Sequence, residues 1–253
     1  MSDNAVTTER SAGTREAIMA AAERLYAEHG LAAVSNRQIC EASGQGNVAA
    51  VGYHFGGKSG LVRAIMRGNA GTIELVRARM LDEMDAGPAA PEVRDWVACL
   101  VRPVTEHLDS LGVPSWHARF SALVMTDPVL RALVADEALV REPLRRALRG
   151  LGRCLDFLPA EVRAERGRMA GLLITHTCAE QERALADGTG ARPPSWEATA
   201  TALTDALTGL FLAPTTPGQP CAAPPNRPNS PSSTTRCPSP DEPAPRGLRT
   251  MRA

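Results

Sequence analysis

From residue 14 to residue 212 the apolar side chains recur at spacings of three and four, and no convincing run of alternating β-branched residues interrupts them. That spacing gathers apolar groups on one stripe of an α-helix, whereas a strand needs a period of two. The chain is therefore expected to be all-α. At 253 residues, 43% of them hydrophobic and 22% charged, it can bury a sizeable core.

Capping residues, glycines and prolines divide the helical stretch. Thr14 is placed to cap a first helix with the stripe Ile18, Ala21, Ala22, Leu25 and Tyr26, ending near Gly30. Ser35 and Gln38 form an S-x-x-Q capping box that starts a short second helix through Ile39 and Ala42. After the turn "GQGN", Asn47 is placed to cap a third helix of barely two turns, through Phe55. Longer helices follow near 58–86, 91–111, 114–126, 128–157, 159–187 and 195–212, with breaks at Pro88, Pro91, Pro114, Pro128, Pro159 and the Pro193/Pro194 pair. Pro103 and Pro143 fall inside two of these and should kink them or mark a further boundary. The expected organisation is a flexible segment 1–13, a helix-turn-helix domain 14–60, a helical body 61–212 and a tail 213–253. That tail holds 11 of the 20 prolines and few large apolar residues, a composition that cannot offset the entropy of ordering, so it is expected to be disordered.

The 28 basic and 28 acidic residues cancel, so nucleic-acid or membrane binding would have to come from local arrangement. The start of the chain has no apolar signal segment and no run is long enough to span a bilayer, so a cytoplasmic protein is expected, without a membrane partner. Six scattered cysteines lack a C-x-x-C pair, and five dispersed histidines make no metal spacing, so reduced thiols and no metal or other cofactor are expected. No nucleophile, P-loop or zinc-protease motif is present, so no catalytic residue is assigned and an enzyme in a helical body is the weakest alternative. A helical scaffold whose first domain makes protein contacts is a stronger one.

Three short helices with a glycine-containing turn fit a helix-turn-helix, whose second motif helix enters the major groove of DNA. The third helix, "NVAAVGYHF", has no acidic side chain to repel phosphate, and Val48, Ala49 and Ala50 are small enough to approach base edges. Tyr53 and His54 carry donors for phosphate oxygens. Lys58, the only lysine among 28 basic residues, adds a charge at the start of the following helix. Other roles stand beside these: Phe55 belongs to the core, Tyr53 could pack, His54 could satisfy backbone groups, and Arg37 could be a solvated charge.

Residues 14 to 65 resemble the DNA-binding domain of the tetracycline-repressor (TetR) family, most specifically in "AAERLYAEHG", "SNRQICEASG" and "VAAVGYHFGGKSGL". Tyr53, His54, Phe55, Gly56, Lys58 and Leu61 match the family's Y-H-F-G-x-K-x-x-L signature. The resemblance implies that Tyr53, His54 and Lys58 hold phosphate, and that Arg37, Gln45, Asn47, Val48 and Ala49 lie in the groove or at its edge. The turn at 44–47 is one residue longer than is common in the family, and Gly52 stands where a larger residue is usual.

By the same resemblance the body would bind a small molecule and form a homodimer that matches a palindromic operator on double-stranded DNA, most simply as a repressor. The expected effector is largely hydrophobic, with candidate lining residues Trp96, Cys99, Trp116, His117, Phe120, Met125, Thr175, His176 and Cys178. The expected dimer surface joins Met169, Leu172 and Leu173 to the seam Trp196, Ala200, Leu203, Leu207 and Leu210. Periodicity alone favours that seam as core of a single chain. The helix from Lys58, with Gly68 and Gly71 in its middle, would join reader to body.

Overall fold

The computed structural model describes residues 2–188 and 195–216. Among them are ten helices and no strand, so the chain is all-α. The Pro193/Pro194 break, Cys221, Cys237 and most of the proline-rich tail lie outside the described residues.

Helix α1 (Ser2–His29) is continuous through Thr14. The expected cap is thus an interior residue: no proline precedes it, and nothing in the segment forces a start there. Helix α2 (Asn36–Ala42) opens on the expected box, with the Gln38 N–H donating to Ser35 Oγ (3.3 Å) and the Ser35 N–H to Gln38 Oε1 (2.9 Å). Asn47 opens the next segment, its Oδ1 accepting the Ala49 N–H at 2.9 Å and its carbonyl the Ala50 N–H at 3.0 Å. Those bonds make a tight turn first, so α3 proper is Ala50–Phe55. Helix α4 (Lys58–Ala86) begins beside the end of α3. A Cβ on Gly60 would lie 1.8 Å from the Phe55 carbonyl oxygen, so only glycine permits the two helix ends to meet this closely.

The body adds α5 (Val93–Ser110), α6 (His117–Thr126), α7 (Pro128–Ala138), α8 (Glu142–Cys154), α9 (Ala160–Asp187) and α10 (Trp196–Leu212). The helix expected over 128–157 is two. Pro143 sits in the first turn of α8, where its missing N–H costs nothing, and residues 139–141 make the corner. Pro103 remains inside α5. None of the described helices is long and apolar enough to cross a membrane.

One core gathers Ile18, Tyr26, Ile39, Val51, Leu61 and Ile65 from α1–α4, and takes in Phe120, Val124 and Leu130 from α6 and α7. The first domain is therefore sealed by the body. A second core joins α5, α8, α9 and α10 around Val97, Val101, Leu151, Leu155, Leu203, Leu207 and Phe211. Of the described cysteines Cys40, Cys99 and Cys178 are buried and Cys154 half-buried, and all four are free thiols.

Candidate nucleic-acid interface

The domain core presents one outer surface along the turn and α3. Val51 points inward with no exposure, while Tyr53 is 85% exposed and Val48 52% exposed. A tyrosine left this open is not packing, since burial of the ring is what would stabilise it there. Asn47 and Ala49 are also exposed, His54 and Gln45 are half-buried, and Gln45 Nε2 turns back toward the Ser43 carbonyl (3.4 Å). Arg37 is exposed on α2 with its Nε 2.7 Å from Glu41 Oε1, an ion pair that water screens and a phosphate could replace. Helix α3 itself carries no acidic residue.

Lys58 is placed differently from the expectation. Its ammonium donates to the Leu31 carbonyl, in the loop after α1, and lies 5.3 Å from the centre of the Tyr26 ring. The ammonium is thus half-buried where the start of α4 meets α1 and the loop that follows it. Sequence reading missed Arg15. Its guanidinium donates to the His54 carbonyl and stacks 4.5 Å over the Phe55 ring, so α1 holds the C-terminal end of α3 by a cation at the negative pole of the helix. The contact spans 39 residues and leaves no signal in local spacing.

The nine candidate lining residues do not form one pocket. Phe120 stacks on Tyr26 in the first core at 6.0 Å. His117 Nδ1 is 2.6 Å from Glu23 Oε1, and Asn69 joins this group by donating to Glu23 (3.3 Å) while its Oδ1 contacts His107 Nε2 (2.8 Å). Trp96 covers Gly150, where a Cβ would meet the indole at 2.4 Å. Cys99 and Cys178 are buried, which pushes their thiols up to about 11 and about 12. Trp116 and Met125 are half-buried, and His176 is exposed. Of the nine, Thr175 alone lines an apolar groove of about 520 Å³ between α5, α8 and α9 with Leu100, Val104, Leu148, Leu151, Ile174 and Phe211 on its walls. Sequence periodicity could find the walls as apolar stripes but not the gap between them.

The dimer residues divide in the same way. Trp196, Ala200, Leu203 and Leu207 are at most 6% exposed and pack into the second core of their own chain. On α9, Met169, Leu172 and Leu173 remain 42–46% exposed. The seam of α10 therefore supports, rather than forms, any surface that a second copy meets.

One further group ties α9 to α6. Glu182, 1% exposed, accepts from Ser115 Oγ (2.9 Å), the Ala118 N–H (3.1 Å), the Arg119 N–H (2.9 Å) and Arg119 Nε (3.1 Å). A carboxylate from another helix thus caps the free N–H groups of α6.

Two similarities accord with this arrangement. The family described as bacterial regulatory proteins, tetR family, matches residues 18–65, which run from α1 into α4. The HTH-type transcriptional repressor AcnR of Corynebacterium glutamicum is 30% identical over 134 residues, which are 52% of this chain, and the match spans 62% of that relative's length. Residues 18–65 are thus similar to the bacterial regulatory proteins of the tetR family.

Proposed function

We propose that this protein is a DNA-binding transcription regulator, acting as a repressor, that binds a palindromic operator as a homodimer and releases it when a small apolar effector binds. The observation that carries the reading is the outer surface of α3, where Tyr53 stands free beside Val48 and Ala49 within the residues that match the family. Tyr53 and His54 hold phosphate, Asn47, Val48 and Ala49 approach the base edges, and Arg37 and Gln45 flank them. Lys58 acts within the domain, by fixing the loop after α1 to the start of α4, against which α3 packs. Repression is supported by the name of the AcnR relative, and by mechanism: a bound dimer over a promoter blocks polymerase without other contacts.

Dimerisation is supported by the apolar face of α9 at Met169, Leu172 and Leu173, beside which α10 exposes the small residues Ala198, Ala202, Ala206 and Gly209. Small side chains allow two helices to approach closely. The groove between α8 and α9 supports an effector site, since cavities of this size and apolar lining suit small molecules. An effector acts to the extent that it prefers a conformer whose two reading surfaces are wrongly spaced.

Selection of duplexes from a random pool by the purified full chain, followed by a salt titration of the best one, tests the reading. The expected result is a palindromic sequence whose affinity falls steeply with salt as counterions are released. No preference for any duplex at low salt, or binding indifferent to salt, would overturn it.

A further inference from the structure

We propose that the groove between α8 and α9 takes a single-chain anionic amphiphile, a free long-chain monocarboxylate whose tail lies on the apolar walls and whose carboxylate meets Arg163. The inference rests on the effector reading only for its consequence on DNA; binding itself stands on the groove.

Arg163 is the one charged group among the described residues that line it. Its Nη1 donates to Asp156 Oδ1 (3.1 Å) and lies near the Leu155 and Gly152 carbonyls (3.4 and 3.5 Å), which pegs the guanidinium at the C-terminal end of α8. Nε and Nη2 have no partner among the described residues, and together they are the edge that a carboxylate grips with both oxygens. Asp156 is 77% exposed, so water screens its competing charge.

The rest of the lining sets the other half of the specificity. Leu100, Leu148, Leu151, Ile174 and Phe211 offer no hydrogen bond, and Thr175 is the one hydroxyl. A second charge on the ligand would be desolvated without a partner, which disfavours dianions and zwitterions. Gly167 and Gly171 form part of the α9 wall where it meets solvent, and a Cβ built on either meets nothing within 4 Å, so a larger side chain can be accommodated there.

Calorimetry of the full chain with dodecanoate, dodecanol and dodecyltrimethylammonium, each below its micelle-forming concentration, tests the inference. Dodecanoate is expected to bind about tenfold more tightly than dodecanol, the margin of a charge-assisted bidentate contact, and the cation not at all. Arg163→Gln should erase that margin and leave dodecanol binding unchanged. Gly171→Leu, which fills the groove with little disturbance of the core, should abolish both. Equal affinity for acid and alcohol in the native chain, no binding of either, or full binding by Gly171→Leu would each overturn the assignment. Should Arg163→Gln fail to fold, the ranking of the three ligands on the native chain decides. Adding dodecanoate to the protein on its selected duplex separates the two readings: binding without release of DNA sinks the effector role and leaves the ligand class standing.

Discussion

At the scale of single residues, the outcome at Lys58 follows from where its ammonium goes. A group spent on the Leu31 carbonyl and the Tyr26 ring contributes to the fold of the domain before it contributes to any ligand. Lys58→Ala is expected to lower unfolding free energy by about 1–2 kcal/mol in urea titrations, the scale of one charged hydrogen bond with a cation–π contact. It should weaken all duplexes alike, with the slope of log affinity against log salt changed by less than about half a unit; loss of a direct phosphate contact would change it by about 0.9. His107 makes a second residue-scale case. Burial first, and then the neighbouring His117, push it from 6.5 to about 4, with Glu23 opposing. The folded state favours the neutral ring, so the contribution is complete above about pH 6.5 and is lost as pH falls toward 4. Unfolding free energy measured across that interval should fall by about 2–3 kcal/mol more in the native chain than in His107→Gln, at ~1.4 kcal/mol for each tenfold change in proton affinity.

Among the elements, much was legible because it depends on neighbours in sequence. The box at Ser35 and Gln38 and the prolines that open α7 and α8 act within one turn, so composition at fixed offsets reveals them. The surface of α3 was legible too, through small residues followed by Tyr53. The roles of the α9 and α10 faces were not. A 4-3-4-3 spacing states that one face is apolar, and says nothing of what covers it; for Trp196, Leu203 and Leu207 the cover is α5 of the same chain. The same limit applies to the cavity, of whose nine expected lining residues only Thr175 reaches the groove, because voids depend on how helices cross. Leu173→Glu on exposed α9 is therefore expected to give folded monomers in sedimentation, with an unchanged helical circular-dichroism spectrum. Leu207→Glu, which buries a charge, should instead lose the fold, and folded monomers from that variant would reinstate the seam as an interface.

For the whole molecule, Glu182 joins regions far apart in sequence. Its carboxylate on α9 holds the start of α6, whose His117 and Phe120 in turn hold Glu23 and Tyr26 on α1. Removing it leaves the α6 N–H groups and Arg119 buried without their acceptor, so Glu182→Ala should cost about 3–5 kcal/mol in urea unfolding. Glu182→Gln keeps an acceptor oxygen and should recover part of that loss. The sealing of the first core by Phe120, Val124 and Leu130 bears on protein engineering. A fragment cut after α4 would open the oily underside of its own three-helix unit to water, and would melt well below the intact chain. Chimaeras that graft a foreign first domain onto this helical body should succeed only when the α6 and α7 side chains beneath it are transplanted as part of the graft.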